Sequence, residues 1–136
     1  MRILALDWGT KRVGVAISDE SGKIAFPLND AIETKSSLEK IESLAKEKEV
    51  GLILLGFPKT LKGDNSRLAW KVGDFKTELE KITGLAVELL DERFSTVQAE
   101  KLLQEQGVKQ VDQTGIKDNI AAQVMLQQYL DTNAPR

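Results

Sequence analysis

The 136-residue sequence predicts an α/β fold with a five-stranded mixed sheet and helices on both faces. Three observations lead to this fold class. Two β-leaning runs, 2–8 and 12–18, are separated by a short segment containing Gly9, which indicates a hairpin. Residues 51–57 (GLILLGF) are almost continuously apolar, as expected for a parallel strand covered on both faces. Elsewhere apolar residues recur at helical spacing.

The other strands and the first helix follow from local patterns. Residues 23–28 predict a weaker third strand after a Ser-Gly turn, and residues 86–90 (AVELL) predict a fifth strand. Residues 36–48 predict a helix, because their apolar side chains share one face. These side chains are Leu38, Ile41, Leu44 and Ala45.

Three more helices are predicted. The second has the clearest signal, with apolar residues alternating at steps of four and three. These residues are Leu68, Val72, Phe75, Leu79 and Ile82. Trp70 lies off this stripe, and packing against a neighbouring loop is favoured for it over stacking on a base. A capping box at Ser95 opens a third helix to about residue 106, and the last helix runs from about residue 114 to 130.

The composition excludes several kinds of chemistry. The chain has no Cys and no His, so thiol nucleophiles, zinc–thiolate sites and imidazole bases are excluded. Any catalysis must use carboxylates, hydroxyls, Lys or Arg, and a hard metal ion. No linker or repeat divides residues 1–136, which predicts a single domain. The longest apolar stretch is too short to cross a bilayer, so we expect a cytoplasmic protein without a membrane partner.

The net charge of −2 hides an uneven distribution. Residues 59–76 carry five basic side chains against two acidic ones, whereas residues 77–92 carry one against five. The basic stretch is suited to following a nucleic-acid backbone. Solvated helix faces of mixed charge are the alternative interpretation.

Acidic residues stand at points where burial would be costly. Asp7 interrupts the apolar run of the first strand near its end, and residues 56–58 and 91–93 follow two later strands. If these three strands run parallel, their ends lie at one edge of the sheet, where α/β proteins bind ligands. Trp8 should point to the face opposite Asp7 and pack in the core.

Asp118 is the third candidate acid, after Asp7 and Glu92. On the last helix it shares a stripe with small apolar residues rather than with charged ones. Each acid alone has a structural explanation: a helix-start residue for Asp118, a turn cap for Asp7 and an ion pair for Glu92. Together they favour a site of oxygen ligands for Mg²⁺ or Mn²⁺, which can hydrolyse a phosphodiester without a protein base.

Four motifs resemble the YqgF/RuvX family of RNase H-like proteins, which are named as Holliday junction resolvases and as pre-16S rRNA nucleases. The motifs follow the family's order over almost the whole chain. They are residues 6–16 (LDWGTKRVGVA), 56–58 with Gly63, 91–96 (DERFST), and 117–130 with its KD, AA and LQQYL segments. Ser95 replaces a usual Thr, Phe57 a usual Leu, and Trp8 is bulky for its place. None of these departures touches a candidate acid.

The resemblance implies an RNase H-like nuclease domain over residues 1–136. It implies that Asp7, Glu92 and Asp118 are both the catalytic residues and the ligands of Mg²⁺ or Mn²⁺. Basic and hydroxyl side chains near these acids and in the basic stretch are expected to contact nucleic acid. They are Lys11, Arg12, Lys59, Lys62, Arg67, Arg93 and Thr96.

The predicted function is that of a metal-dependent endonuclease acting on structured nucleic acid. Processing of the pre-16S rRNA 5′ end is favoured, and Holliday junction resolution is the family's other assignment. The protein would act as a monomer or a homodimer on structured RNA or branched DNA. The alternative is a non-catalytic nucleic-acid-binding or ribosome-assembly factor that keeps the acidic site. Residues 7–10 also resemble the phosphate loop of actin-like and sugar kinases, but those enzymes need two such lobes.

Overall fold

The computed structural model describes residues 1–29, 32–58, 66–92 and 113–133, with the backbone alone at 57–58, 66–69, 91–92, 113–117 and 133. The strands are β1 (Arg2–Asp7), β2 (Arg12–Ser18), β3 (Ala25–Pro27), β4 (Ile32–Glu33), β5 (Val50–Pro58) and β6 (Val87–Glu92). The helices are α1 (Ser37–Glu47), α2 (Ser66–Thr83) and α3 (Gln113–Asn133), and a short 3₁₀ helix (Thr34–Ser36) precedes α1.

The strands form one mixed sheet in the order β3-β2-β1-β5-β6, and β4 pairs with the start of β2. β1 and β2 are antiparallel, whereas β1, β5 and β6 run parallel. The mixed sheet is confirmed, but it has six strands rather than five. Sequence patterns missed β4 because two residues are too few to show an alternation.

The predicted elements agree with the structure within a few residues at their ends. The third strand is the largest discrepancy, since only residues 25–27 of the predicted 23–28 are paired. The reason is local: the Asp19 carboxylate accepts the backbone N–H groups of Lys23 and Ile24, which holds that segment in a turn. The predicted helix at 95–106 lies outside the described residues.

Helices cover both faces of the sheet, as predicted. α1 and α2 pack on one face against large side chains such as Leu4, Leu6 and Ile53. α3 packs on the other face against Ile3, Ala5 and further small residues. Trp8 belongs to the α1–α2 face and is 5% exposed, which confirms its predicted place in the core. Within the described ranges, no helix is long and apolar enough to span a membrane.

Candidate functional site

The carboxyl ends of the three parallel strands meet at one edge of the sheet. Asp7 pairs in register with Gly56 of β5, and Gly56 in turn pairs with Leu90 of β6. Glu92 lies two residues further along β6, opposite Pro58. Because neighbouring strands are about 4.8 Å apart, the backbones of β1 and β6 are separated by about 10 Å here. The backbone of Glu92 therefore lies at the same edge as Asp7, as the sequence predicted.

Asp7 lies on the face of the sheet that α3 covers. Side chains alternate along a strand, and Ile3 and Ala5 pack in the core beneath α3. Asp7 is two residues beyond Ala5 and therefore on the same side of the strand, and it is half-buried. Across the hairpin it pairs with Gly14 of β2. The residue opposite Asp7 thus has no side chain.

Gly14 allows the backbone of α3 to touch the sheet. A Cβ atom built on Gly14 would lie 2.0 Å from the carbonyl oxygen of Asp118 and 2.4 Å from its carbonyl carbon. Any residue larger than glycine would have to displace the start of α3. Because Gly14 is opposite Asp7 in register, this close approach places Asp118 beside the end of β1.

Asn119 fixes the same contact with two hydrogen bonds. Its side chain is fully buried; Oδ1 accepts from the buried backbone N–H of Val15 at 2.8 Å, and Nδ2 donates to the carbonyl of Leu28 at 2.8 Å. The N–H of Val15 would otherwise be buried without a strand partner at this position. Sequence analysis did not identify Asn119. The available signal was an amide directly before the apolar stripe of the last helix.

Asn119 begins a row of amide side chains spaced by one helical turn, which we name the amide row (Asn119, Gln123 and Gln127). Gln123 donates to the carbonyl of Ala25 at 3.2 Å. Gln127 accepts from the N–H of Ala25 at 2.9 Å and donates to the carbonyl of Lys23 at 2.9 Å. The amide row covers the edge of the short strand β3 and fixes the position of α3 along the sheet.

Arg12 forms an ion pair with Asp118. The guanidinium Nε donates to Asp118 Oδ2 at 2.8 Å, and the two side chains are 40% and 31% exposed. A pair this exposed contributes about 1 kcal/mol or less to folding. Its main effect is to orient the Asp118 carboxylate. A guanidinium carries five N–H donors, so the bond from Nε leaves other donors of Arg12 for the predicted contact with nucleic acid.

The C-terminal half of α3 contacts β6. Tyr129 donates its hydroxyl hydrogen bond to the Glu88 carboxylate at 3.3 Å. Partial burial raises the pKa of Tyr129, and the nearby Glu88 carboxylate raises it further. α3 therefore spans the sheet from β2 to β6.

The remaining predicted site residues are distributed as follows. Lys11 is exposed in the turn between β1 and β2. Arg67 lies in α2 and Glu92 at the end of β6, where the backbone alone is described. Four predicted residues lie outside the described residues: Lys59, Lys62, Arg93 and Thr96. Among the side chains that the structure describes, no three carboxylates are grouped to hold a metal ion, and Asp7 and Asp118 are the two candidate acids in this set.

Comparison with solved structures defines the class of protein. T. thermophilus RuvC, solved in complex with a Holliday junction substrate, matches with a TM-score of 0.63 and 14% identity, covering 100% of this chain and 98% of RuvC. The fowlpox virus Holliday junction resolvase matches with a TM-score of 0.54 and 15% identity, covering 97% of this chain and 99% of the resolvase. The chain therefore has the RNase H-like fold of these proteins, which confirms the predicted fold class.

The sequence comparisons define the family. The model of the RuvX family, described as Holliday junction resolvase, matches residues 1–132, and the chain belongs to this family. A relative from Fusobacterium nucleatum is 40% identical over 133 residues, covering 96% of each chain, and one from Dictyoglomus turgidum is 37% identical over 135 residues, covering 97% of this chain and 95% of the relative. Both are named "Putative pre-16S rRNA nuclease". The resemblance and the nuclease class are confirmed, and such nucleases generally require a divalent metal ion.

Proposed function

We propose that the chain is a metal-dependent endonuclease that hydrolyses phosphodiester bonds in structured RNA, with the 5′ end of pre-16S rRNA as its substrate. One observation carries this proposal: Gly14 lets α3 touch β2, which brings Asp118 to the strand end that bears Asp7. Asp7 and Asp118, more than a hundred residues apart in sequence, thus lie on the same face of the sheet, beside the edge where this fold class binds ligands.

Glu92 is the proposed third ligand. Along β6, Glu92 alternates with Glu88 and Leu90 on the same side of the strand. Glu88 contacts α3, and Leu90 packs against the core beneath it. Strand alternation therefore supports a place for Glu92 on the face that bears Asp7 and Asp118. Its register, two residues beyond the level of Asp7, supports the same assignment.

The donor set fits Mg²⁺ or Mn²⁺. The candidate ligands are all carboxylate oxygens, and the sequence contains no His or Cys to favour zinc. When bound, such an ion supplies an activated water and stabilises the leaving oxygen of a phosphodiester.

The protein groups around the acids have separate tasks. Asp7, Glu92 and Asp118 would hold the ion, and Arg12 orients the Asp118 carboxylate through its Nε. Lys11, exposed in the adjacent turn, would bind a phosphate flanking the scissile bond. The basic stretch 59–76 would follow the nucleic-acid backbone.

The relatives favour RNA over branched DNA as the substrate. Proteins named for pre-16S rRNA share 37% to 40% identity with this chain over nearly its whole length. The RuvC protein bound to a Holliday junction shares 14%. Branched DNA is the second candidate because the family model carries the resolvase description. Symmetric cleavage of a junction would also require a homodimer.

The test is a cleavage assay of Asp7→Asn on both substrates. With Mg²⁺ or Mn²⁺, the unmodified protein should cleave a structured RNA carrying the pre-16S 5′ end faster than a four-way DNA junction. Asp7→Asn should reduce this cleavage by about 100-fold or more, because it removes a metal ligand. Circular dichroism and a native mass measurement establish that both proteins are folded and have the same oligomeric state.

Glu47→Gln is the matched control. Glu47 is exposed at the end of α1, just before β5 begins and so at the opposite edge of the sheet from Asp7, and its substitution should leave cleavage unchanged. Equal cleavage by Asp7→Asn and the unmodified protein would show that the three acids are not the catalytic site. Binding of RNA without cleavage under any metal condition would favour an assembly factor instead.

A further inference from the structure

A second concave surface lies on the face of the sheet opposite Asp118. It is a cavity of about 390 Å³ between the 3₁₀ helix, α1 and α2, which we name the Trp8 cavity. Trp8, Leu38 and Phe75 supply its apolar lining, and the side chains of Trp8 and Phe75 are otherwise buried in the core. The proposed catalytic function does not use this cavity.

The Trp8 cavity lies next to the candidate acids along the chain. Trp8 directly follows Asp7, and its backbone N–H donates to the carbonyl of Gly56 at 3.1 Å, which continues the β1–β5 pairing past Asp7. Asp7 and Trp8 lie on opposite faces of the sheet. Thr10 of the adjacent turn also lines the cavity. The cavity and Asp7 therefore lie on either side of the same edge of the sheet.

The charges of the rim favour a neutral occupant. Lys35 and Lys71 line the cavity together with Asp74 and Glu78, so cations and anions balance. The net electrostatic attraction for a free phosphate or another small anion is therefore small, because the two carboxylates repel it. A planar apolar ring with polar edges fits the aromatic lining and the mixed rim. Nucleobases have this chemistry.

An exposed aromatic residue flanks the cavity along α2. Trp70 directly precedes Lys71 and lies one helical turn before Asp74, and it is 73% exposed. The prediction that Trp70 packs against a neighbouring loop was therefore wrong. An exposed indole beside a lysine provides a stacking surface for a second base.

We propose that the Trp8 cavity is a base-binding subsite, which takes one unstacked nucleobase of the nucleic-acid substrate while Trp70 stacks on a neighbouring base. This inference rests on the proposed function for its choice of ligand. The carboxylates of Asp74 and Glu78 accept hydrogen bonds from exocyclic amino groups. The subsite therefore prefers adenine, cytosine or guanine over uracil.

The test uses Trp8 as a fluorescent reporter. The chain has two tryptophans, so Trp70→Phe leaves Trp8 as the single indole and keeps an aromatic ring at position 70. Without metal, so that nothing is cleaved, this protein is titrated with a single-stranded adenine-containing RNA. The control ligand is an abasic strand of the same length and charge. The adenine strand should quench Trp8 saturably, the uracil equivalent should bind more weakly, and the abasic strand should not quench.

Two lysines on α2 provide a matched pair. Lys71 is exposed at the rim of the cavity, whereas Lys81 is exposed in the last turn of the helix. Lys71→Ala should raise the dissociation constant measured in this titration about fivefold, the loss expected for one exposed phosphate contact. Lys81→Ala should leave it unchanged. Equal effects of the two substitutions would show that the quenching does not come from this cavity.

Anisotropy of the labelled RNA separates the two proposals. If the RNA binds but Trp8 does not respond, or if the abasic strand quenches equally, the base-binding subsite is wrong and the proposed nuclease function stands. If neither this RNA nor the structured RNA substrate binds the protein, the proposed function is wrong, and the subsite is wrong with it.

Discussion

The two faces of the sheet are packed in different ways. On the α1–α2 face, large apolar side chains such as Leu4, Phe75 and Leu79 separate helix from strand. On the α3 face large side chains such as Leu126 alternate with alanines such as Ala5 and Ala122, and Gly14 lets the helix backbone touch the strand. On the first face side chains keep the helix backbones away from the sheet. On the second face the backbone of α3 contacts β2 at Gly14.

The difference bears on Asp7 and Asp118, which both lie on the α3 face. Apolar burial stabilises both faces, at about 25 cal/mol per Å², but it has no preferred direction. On the α3 face the close approach at Gly14 is accompanied by directional hydrogen bonds. The amide row supplies these bonds to β2 and β3 and so fixes Asp118 relative to Asp7.

The largest expected effect comes from Gly14→Ala. The new Cβ would lie 2.0 Å from the carbonyl oxygen of Asp118, and because that atom is backbone, α3 must move. We expect a loss of about 3 kcal/mol or more in the free energy of unfolding, measured by urea denaturation. The affinity for Mn²⁺, measured by calorimetry, should fall as well, since Asp118 moves with the helix.

Gly73→Ala is the control for this substitution. Gly73 lies on α2, and a Cβ added there would have no atom within 4 Å, so alanine should stabilise the helix by about 0.5–1 kcal/mol. A Gly14→Ala protein as stable as the parent would contradict the close approach of α3 to β2.

Asn119→Ala and Leu79→Ala compare the two faces directly. Asn119→Ala leaves the Val15 N–H and the Leu28 carbonyl without partners, and Leu79→Ala opens a cavity under α2. Each should cost about 2–3 kcal/mol. The stabilisation of the folded protein by Mn²⁺, read as a rise in Tm, should shrink for Asn119→Ala alone. An equal reduction in both proteins would mean that the amide row has no special role at the site.

The smallest effect concerns the turn before β3. Hydrogen bonds from the N–H of Ile24, the Ser21 hydroxyl and the N–H of Lys23 hold the pKa of Asp19 well below its ordinary value of 3.8. A lowered folded-state pKa adds stability above about pH 4, and this stability is lost as the pH falls further. Asp19→Asn should therefore lower the urea midpoint slightly at pH 7 and less at about pH 3. A difference that grows toward low pH would show that ionised Asp19 does not stabilise the turn.

Most of the sheet and helices could be predicted because their signals are local. The apolar run at 51–57 is recognisable from seven consecutive residues, and the apolar stripe of α2 shows its helical period within a few turns. The short β4 could not be predicted in this way, because it exists only by pairing with β2. The place of Trp70 off the apolar stripe did indicate exposure, and only its predicted packing against a loop was wrong.

The candidate site divides in the same way. Asp7 and Glu92 were recognisable from the ends of apolar strands, and their register follows once the strands are parallel. Asn119 was missed because its partners, Val15 and Leu28, are about ninety to a hundred residues away in sequence.

The sequence by itself determined the chemistry available to this protein. A chain without His or Cys, with acids at strand ends and a family signature around residues 6–16, leaves carboxylates as its candidate ligands for a divalent metal ion. The tertiary structure alone decided that Asp118 lies on the same face of the sheet as Asp7, that Arg12 pairs with it across 106 residues of chain, and that a cavity opens behind Asp7. The physical reason is that side-chain chemistry and periodicity depend only on residues close together in sequence. The contact of α3 with β2 depends on the packing of residues that are far apart in sequence.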